Sequence, residues 1–292
     1  MTTPRRIADR LEAALGSSAA PVRLVSAIEV ELKGYFGLEA IAAAERAESS
    51  FESVAKLIGA RNLHADSQGV SATLVVIGTT EDTVAGACHI LPTDSEDVAT
   101  AKSGRLHHAA LLAKIRSLTF GEFEVFGKRV LKELGAADPR VTPHGGDQGI
   151  DFFGRFSLGQ LHALPEPFLR LAHDVRLLFA GQAKHYPDST IGPNIVRELI
   201  GAVSLARTKT FSTDGLDLFQ ELEIRPFSPV VAMLFTTGSI SRGAYQLAAS
   251  AGIVAKNGDQ LAAFLADRGV GMSAATPRTF DDALFDVWLH AP

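Results

Sequence analysis

The run Gly145-Gly146-Asp147-Gln148-Gly149-Ile150-Asp151-Phe152-Phe153 and the shorter run Gly181-Gln182-Ala183-Lys184 decide how the sequence is read. Three glycines within five residues predict a sharp turn that other backbone can approach closely. From it Ile150-Asp151-Phe152-Phe153 leads out into a strand, expected over Gly149–Phe156. An acid among such apolar neighbours wants a cation, a hydrogen-bond donor or a metal ion. The plainer alternative is an aspartate that brackets a turn. In the second run, expected as a strand over Leu177–His185, side chains alternate between faces, so Gln182 and Lys184 point one way and Ala183 the other. A lysine near the end of a buried strand is costly unless it reaches a cleft or a partner. An edge strand whose lysine reaches water is the alternative. A phosphate-binding loop is disfavoured, because no GxxxxGK[ST] pattern is present and a strand rather than a helix follows the glycines.

Outward from these runs the elements alternate. Phe123, Phe126, Val130 and Leu134 line one side of an amphipathic helix over Phe123–Leu134. Ile191–Ala206 reads as a helix, and Val230–Thr236 as a continuous apolar strand of the kind buried in a sheet covered on both faces. Arg242–Ala251 is an expected helix, Ile253–Ala255 a short strand and Asp259–Leu265 a final helix, with Lys209–Arg225 a loop or small insertion. Such alternation predicts an α/β architecture. Upstream, helices are expected at Ile7–Leu15, Leu24–Leu32, Gly37–Ala47 and Phe51–Ile58, and a strand at Ser71–Gly78. They suggest a small α+β N-terminal domain over 1–97, serving recognition, regulation or oligomerisation. Pro92–Asp97 forms a polar linker to a second domain over 98–292, which Val98–Ile115 opens in helical form.

The 292 residues carry a net charge of −5, unevenly spread. Residues 1–100 hold 8 Lys/Arg against 14 Asp/Glu, residues 101–144 hold 8 against 4, and residues 145–292 hold 12 against 15. The basic stretch thus lies just before the Asp151 run, where it would attract a polyanion. A winged-helix DNA reader is one candidate for residues 1–97, but the acidic balance there lacks the basic face such a reader needs. Cys88 is the only cysteine, which excludes an intrachain disulfide and a cysteine-based zinc site. No apolar run reaches the ~20 residues of a membrane span, and Asp9, Arg10 and Glu12 break any signal-peptide pattern. A cytoplasmic protein without a membrane partner is expected.

Five short motifs in order, Phe123-Glu124, Gly146-Asp147-Gln148-Gly149-Ile150-Asp151, Gln182-Ala183-Lys184, Val196-Arg197-Glu198-Leu199 and Thr236-Thr237-Gly238, resemble the Mrr-type restriction endonuclease domain of the PD-(D/E)XK nuclease superfamily. The resemblance covers about residues 118–265. Gln182 matches the Mrr variant, in which glutamine replaces the second acid of the superfamily motif. The resemblance implies a restriction-endonuclease-like mixed central sheet flanked by helices. It also implies a metal-dependent endonuclease acting on DNA, with Mg²⁺ as cofactor, Mn²⁺ as a substitute, and a role in restriction or anti-phage defence. Asp151 would be the main metal ligand, Gln182 would add its amide oxygen, and Glu124 would ligate directly or through water. Lys184 would orient the attacking water and stabilise charge on the phosphate. The interval from Asp151 to Gln182, 31 residues, is long for a direct hairpin, and Gln148 stands where the family often has glycine.

Around this set His185 and Tyr186 could touch a substrate phosphate, and His144 could sit at the mouth of the cleft. His107 and His108, adjacent on an expected helix, do not face a common ligand. No GxSxG elbow accompanies Ser239 or Ser241, which disfavours a serine hydrolase. A non-catalytic nucleic-acid-binding or assembly protein on the same fold, and an RNase, are the alternatives. RNA as a substrate and a homodimer both stay open.

Overall fold

The computed structural model describes residues 2–78, 82–142, 149–158, 170, 175–209, 224, 227–274 and 278–291. The chain divides into two compact units, one of residues 1–111 and 262–281, the other of 112–261 and 282–292. The division therefore falls within the helix following the expected linker, and a C-terminal segment returns to the first unit.

In the first unit α1 (Pro4–Leu15) starts at the side chain of Thr3, which accepts from the Arg6 N–H, with Pro4 in the first turn. β1 (Val22–Arg23), α2 (Leu24–Gly34), α3 (Ala40–Gln68), β2 (Leu74–Ile77) and β3 (Thr83–Gly86) follow. The two expected helices over 37–58 are one continuous helix, closed by Gly69 in the left-handed conformation, φ 68°. The strands form a three-stranded sheet ordered β1-β3-β2, paired antiparallel. Ile7, Leu11, Ile28, Leu32, Val54 and Ile58 fill the core under it. α4 (Glu96–Arg105) and α5 (His108–Ser117) are two helices where one was expected.

The second unit is organised on a five-stranded mixed sheet. α6 (Phe120–Glu133) opens with a capping box between Thr119 and Glu122. β4 (Ala137–Val141), β5 (Phe152–Ser157), β6 (Arg176–Lys184), β7 (Thr190–Ile191), α7 (Pro193–Thr208), β8 (Val230–Thr236), β9 (Ser239–Ile240), α8 (Arg242–Ser250), β10 (Val254–Lys256), α9 (Gly258–Asp267) and α10 (Asp282–His290) complete the chain. α9 carries the chain from the second unit into the returning segment of the first. The strand order is β10-β8-β6-β5-β4, parallel across β10, β8 and β6 and antiparallel across β6, β5 and β4.

Helices cover both faces of this sheet, as the apolar β8 demands. On one face a Cβ on Gly127 of α6 would come within 3.0 Å of the Phe152 ring, and so would a Cβ on Gly181 of β6. Two glycines thus make room for one buried phenylalanine, which stacks on Phe235 at 5.1 Å. α6 lies on the Phe152–Gly181 face for that reason. On the other face Ile150, Phe153 and Ala180 pack with Ala202 and Ala206 of α7. α10, absent from the sequence reading, stacks Trp288 edge-on against Phe126 at 5.9 Å. Of the expected insertion over 209–225, only residues 209 and 224 are described.

Candidate active site

Asp151, Gln182 and Lys184 lie where β5, β6 and β8 meet at the end of β6, the side of a parallel sheet on which ligands bind in open α/β folds. Gly149 holds φ 84°, a conformation that suits glycine, and turns the chain toward β5. The Asp151 N–H donates to the Gly181 carbonyl at 2.8 Å, one residue out of step with the Phe152–Gly181 pairing. The ladder ends at that irregularity, and the Asp151 carboxylate takes over from the backbone: Oδ2 accepts from the Ala183 N–H at 2.7 Å. Thr142 in turn donates its N–H to the Asp151 carbonyl at 2.9 Å. Asp151 is buried in this frame, 4% exposed.

Gln182 lies beside it, 2% exposed. Its Nε2 would stand 3.5 Å from a Cβ on Gly149, so the amide fills the space that this glycine leaves open. Its Oε1 finds no hydrogen-bond donor among the described residues. Three more buried polar atoms at the same strand ends share that condition among the described residues: Thr142 Oγ1, His185 Nε2 and Thr237 Oγ1. A buried polar atom without a partner carries a desolvation cost of roughly 1–3 kcal/mol. Together the four make the strand ends a polar patch inside the fold. Thr142 and Thr237 were not singled out as site residues in the sequence. The signal for Thr237 was its place in the Thr236-Thr237-Gly238 motif, whereas nothing marked Thr142.

Lys184 ends β6 opposite Thr236 of β8. By alternation Gln182 and Lys184 share the face of Ala180, the face covered by α7. Glu124 comes from the opposite layer. It is 3% exposed on α6, between Phe123, whose ring lies 5.7 Å edge-on from His185, and Gly127, which sits on Phe152. Glu124 is thus on the α6 layer, whereas Gln182 and Lys184 are on the face toward α7. His185 is half-buried against Phe123, and Tyr186 is 40% exposed. His144 lies outside the described residues, as do Asp147 and Gln148. Arg197 and Glu198 are exposed on α7. One turn beyond Glu124 on α6, burial and then the charges of Arg129 and Lys132 push the Lys128 ammonium below its usual pKa.

The donor set suits an oxygen-seeking divalent cation, because a buried carboxylate stands beside a buried amide oxygen that lacks a donor among the described residues. No group of three or more His, Cys, Asp or Glu side chains fit to hold a metal occurs among the described residues. An ion here would rest on Asp151, Gln182 and further oxygen ligands.

Residues 115–214 match the restriction endonuclease family model Mrr_cat. The match contains Glu124, Asp151, Gln182 and Lys184 and stops before Thr237. No curated protein sequence matches the chain. Two solved structures are similar. One is the MspJI restriction endonuclease in complex with a 27-mer oligonucleotide, at 21% identity and a TM-score of 0.35 over 62% of this chain. The other is the DNA modification-dependent restriction endonuclease AspBHI, at 21% identity and a TM-score of 0.40 over 63% of this chain. The chain spans 36% and 39% of their lengths. Among the described residues no helix is long and apolar enough to cross a membrane.

Proposed function

We propose that the second unit is a divalent-cation-dependent endonuclease that hydrolyses phosphodiester bonds in DNA. The observation that carries this reading is the pairing of the buried Asp151 carboxylate with the buried Gln182 amide oxygen, which has no donor among the described residues, two residues before Lys184, inside the segment that matches the restriction endonuclease family. Asp151 and Gln182 would hold the cation, with Glu124 reaching it directly or through a water. When bound, a divalent cation supplies Lewis acidity and lowers the pKa of a water ligand; Mg²⁺ is the expected ion and Mn²⁺ its substitute.

The chain's own residues do the rest. The N–H of Ala183 fixes Asp151 so that its carboxylate does not have to reorganise during reaction. The Lys184 ammonium orients the attacking water and neutralises charge growing on the phosphoryl oxygens. As the water oxygen bonds to phosphorus, the bond to the leaving oxygen breaks, giving a phosphate monoester and a hydroxyl. His185 and Tyr186, directly after Lys184, are the residues that would contact a neighbouring phosphate. Restriction of foreign DNA is the role such an activity would serve, with the first unit recognising, regulating or assembling.

The test is incubation of the protein with plasmid DNA, linear duplex and RNA in Mg²⁺, Mn²⁺ or EDTA. The expected result is cleavage of DNA with either ion and none in EDTA. Cleavage confined to RNA would transfer the same chemistry to an RNase. Binding without cleavage of any substrate would make the unit a nucleic-acid-binding module.

A further inference from the structure

Directly after Lys184 the chain makes a tight turn, and Thr237-Gly238-Ser239 closes over it. Tyr186 N–H donates to the Lys184 carbonyl at 3.1 Å, and Ser189 N–H to the Tyr186 carbonyl at 3.1 Å. From the other segment the Thr237 N–H donates to the Lys184 carbonyl at 3.3 Å and the Ser239 N–H to the Ser189 carbonyl at 3.1 Å. Thr190 Oγ1 and Ser239 Oγ share a hydrogen bond of 2.6 Å. Between these anchors lies Gly238. A Cβ there would fall within 3.0 Å of both the Tyr186 and the Ser189 carbonyl oxygens, closer than real Cβ atoms come. Both obstacles are backbone, so no rotamer change relieves them. On the far side a Cβ on Gly258 would stand 2.5 Å from the Thr237 carbonyl oxygen. Three stretches of backbone are thus stacked with glycine at each crossing.

We infer that Gly238 is a positioning residue for the Lys184–Tyr186 segment: lacking a side chain, it lets Thr237–Ser239 close on the turn and fix where Lys184 leaves β6. The inference rests on the nuclease reading, in which Lys184 acts on the scissile phosphate. A methyl group at 238 must push the turn away by the better part of an ångström, and a displacement of ~1 Å in a reacting group costs on the order of 10²-fold in rate. Phosphate attraction is spread over many basic groups and does not depend on that position.

The test compares kcat and KM for DNA cleavage by Gly238→Ala, Ser239→Ala, Gly243→Ala and Lys184→Ala, with melting temperature as a check on folding. Gly238→Ala should lose about 10²-fold in kcat with KM within a few-fold of wild type. Ser239→Ala, which loses only the hydroxyl contact with Thr190, should fold normally and lose kcat by a smaller factor at unchanged KM. Gly243→Ala, where a Cβ meets only Pro193 Cγ at 3.5 Å, should match wild type. Wild-type kcat in a folded Gly238→Ala would overturn the inference, as would equal losses in kcat/KM that come wholly through KM. If Gly238→Ala does not fold, wild-type kcat in Ser239→Ala overturns it instead. Full activity of Lys184→Ala would instead overturn the nuclease site itself, which keeps the two failures distinct.

Discussion

Asp151 is held by the Ala183 N–H at 2.7 Å, so replacing it takes away a hydrogen bond as well as a charge. In a metal site free of such contacts, removing one carboxylate relieves repulsion and raises stability. Here Asp151→Ala leaves the buried Ala183 N–H unpaired, and the expected cost is about 1–3 kcal/mol. Asp151→Asn keeps an acceptor in place and should cost less, while cleavage is lost in both. Denaturant melts of the two variants check this, and equal stability of Asp151→Ala and wild type would mean the Ala183 contact contributes nothing. That Asp151 needs a polar partner was legible because an acid between Ile150 and Phe152 has no apolar justification. The hydrogen bond from Ala183 was not legible, since it depends on a one-residue slip at the end of the β5–β6 ladder, and register is a long-range property.

At the scale of elements, α6 carries Glu124, the proposed third ligand, and packs Gly127 onto Phe152. Its first turn is set by Thr119 and Glu122. The Thr119 N–H and hydroxyl both donate to the Glu122 carboxylate at 2.7 Å, and these bonds hold its pKa below the ordinary carboxylate value. A depressed carboxylate contributes stability above its unfolded pKa and loses it as pH falls through the folded one. Thr119→Ala should therefore destabilise by about 0.5–2 kcal/mol at neutral pH. The difference should shrink as pH falls through the folded-state pKa of Glu122 and its carboxylate takes up a proton, without vanishing, because the Glu122 N–H also donates to the Thr119 hydroxyl. Thermal melts at pH 7 and pH 3 read the difference, and one independent of pH would contradict the capping box. The helices and strands with clear period, such as α1, α7 and β8, fell close to their expected places. β3 and β4 escaped because Thr83–Gly86 and Ala137–Val141 are short, and β4 holds Asp138 and Pro139, residues that strands avoid. α10 escaped because it lies beyond the last motif of the resemblance.

At the scale of the whole molecule, the first unit shows where composition and structure meet. Up to Gly86 its elements run helix, strand, two helices and two strands, with the three strands in one antiparallel sheet. On α3 the cations are engaged within the unit: Arg46 Nη2 donates to the Thr2 carbonyl, Arg61 pairs with Asp9 and Glu12, and Lys56 lies 3.8 Å from Glu52. The acidic balance of residues 1–100 leaves a polyanion little to hold there. Lys56→Ala should leave both DNA affinity and its salt dependence unchanged, whereas loss of one phosphate contact lowers the log–log salt slope by about 0.9. A change of that size would make α3 part of the DNA interface. The returning segment 262–281 leaves its own mark on α4. Helix propensity alone favours alanine over Gly104 by up to ~1 kcal/mol. A Cβ at 104 would, however, run into the Ala266 carbonyl oxygen, and Gly104→Ala is expected to destabilise by about 1–3 kcal/mol. Chemical denaturation gives the sign directly, and a stabilised variant would contradict the close approach of these two backbones. The sequence carried no trace of this contact, because it joins residues more than 160 positions apart.

The most direct test of the nuclease site is single-turnover cleavage of a plasmid by wild type, Asp151→Asn and Lys184→Ala, each in Mg²⁺ and in EDTA, with DNA binding measured alongside. The prediction is cleavage by wild type in Mg²⁺ only, and none by either variant, while Lys184→Ala binds DNA with nearly wild-type affinity. Cleavage by Asp151→Asn at the wild-type rate, or wild-type cleavage that persists in EDTA, would contradict it.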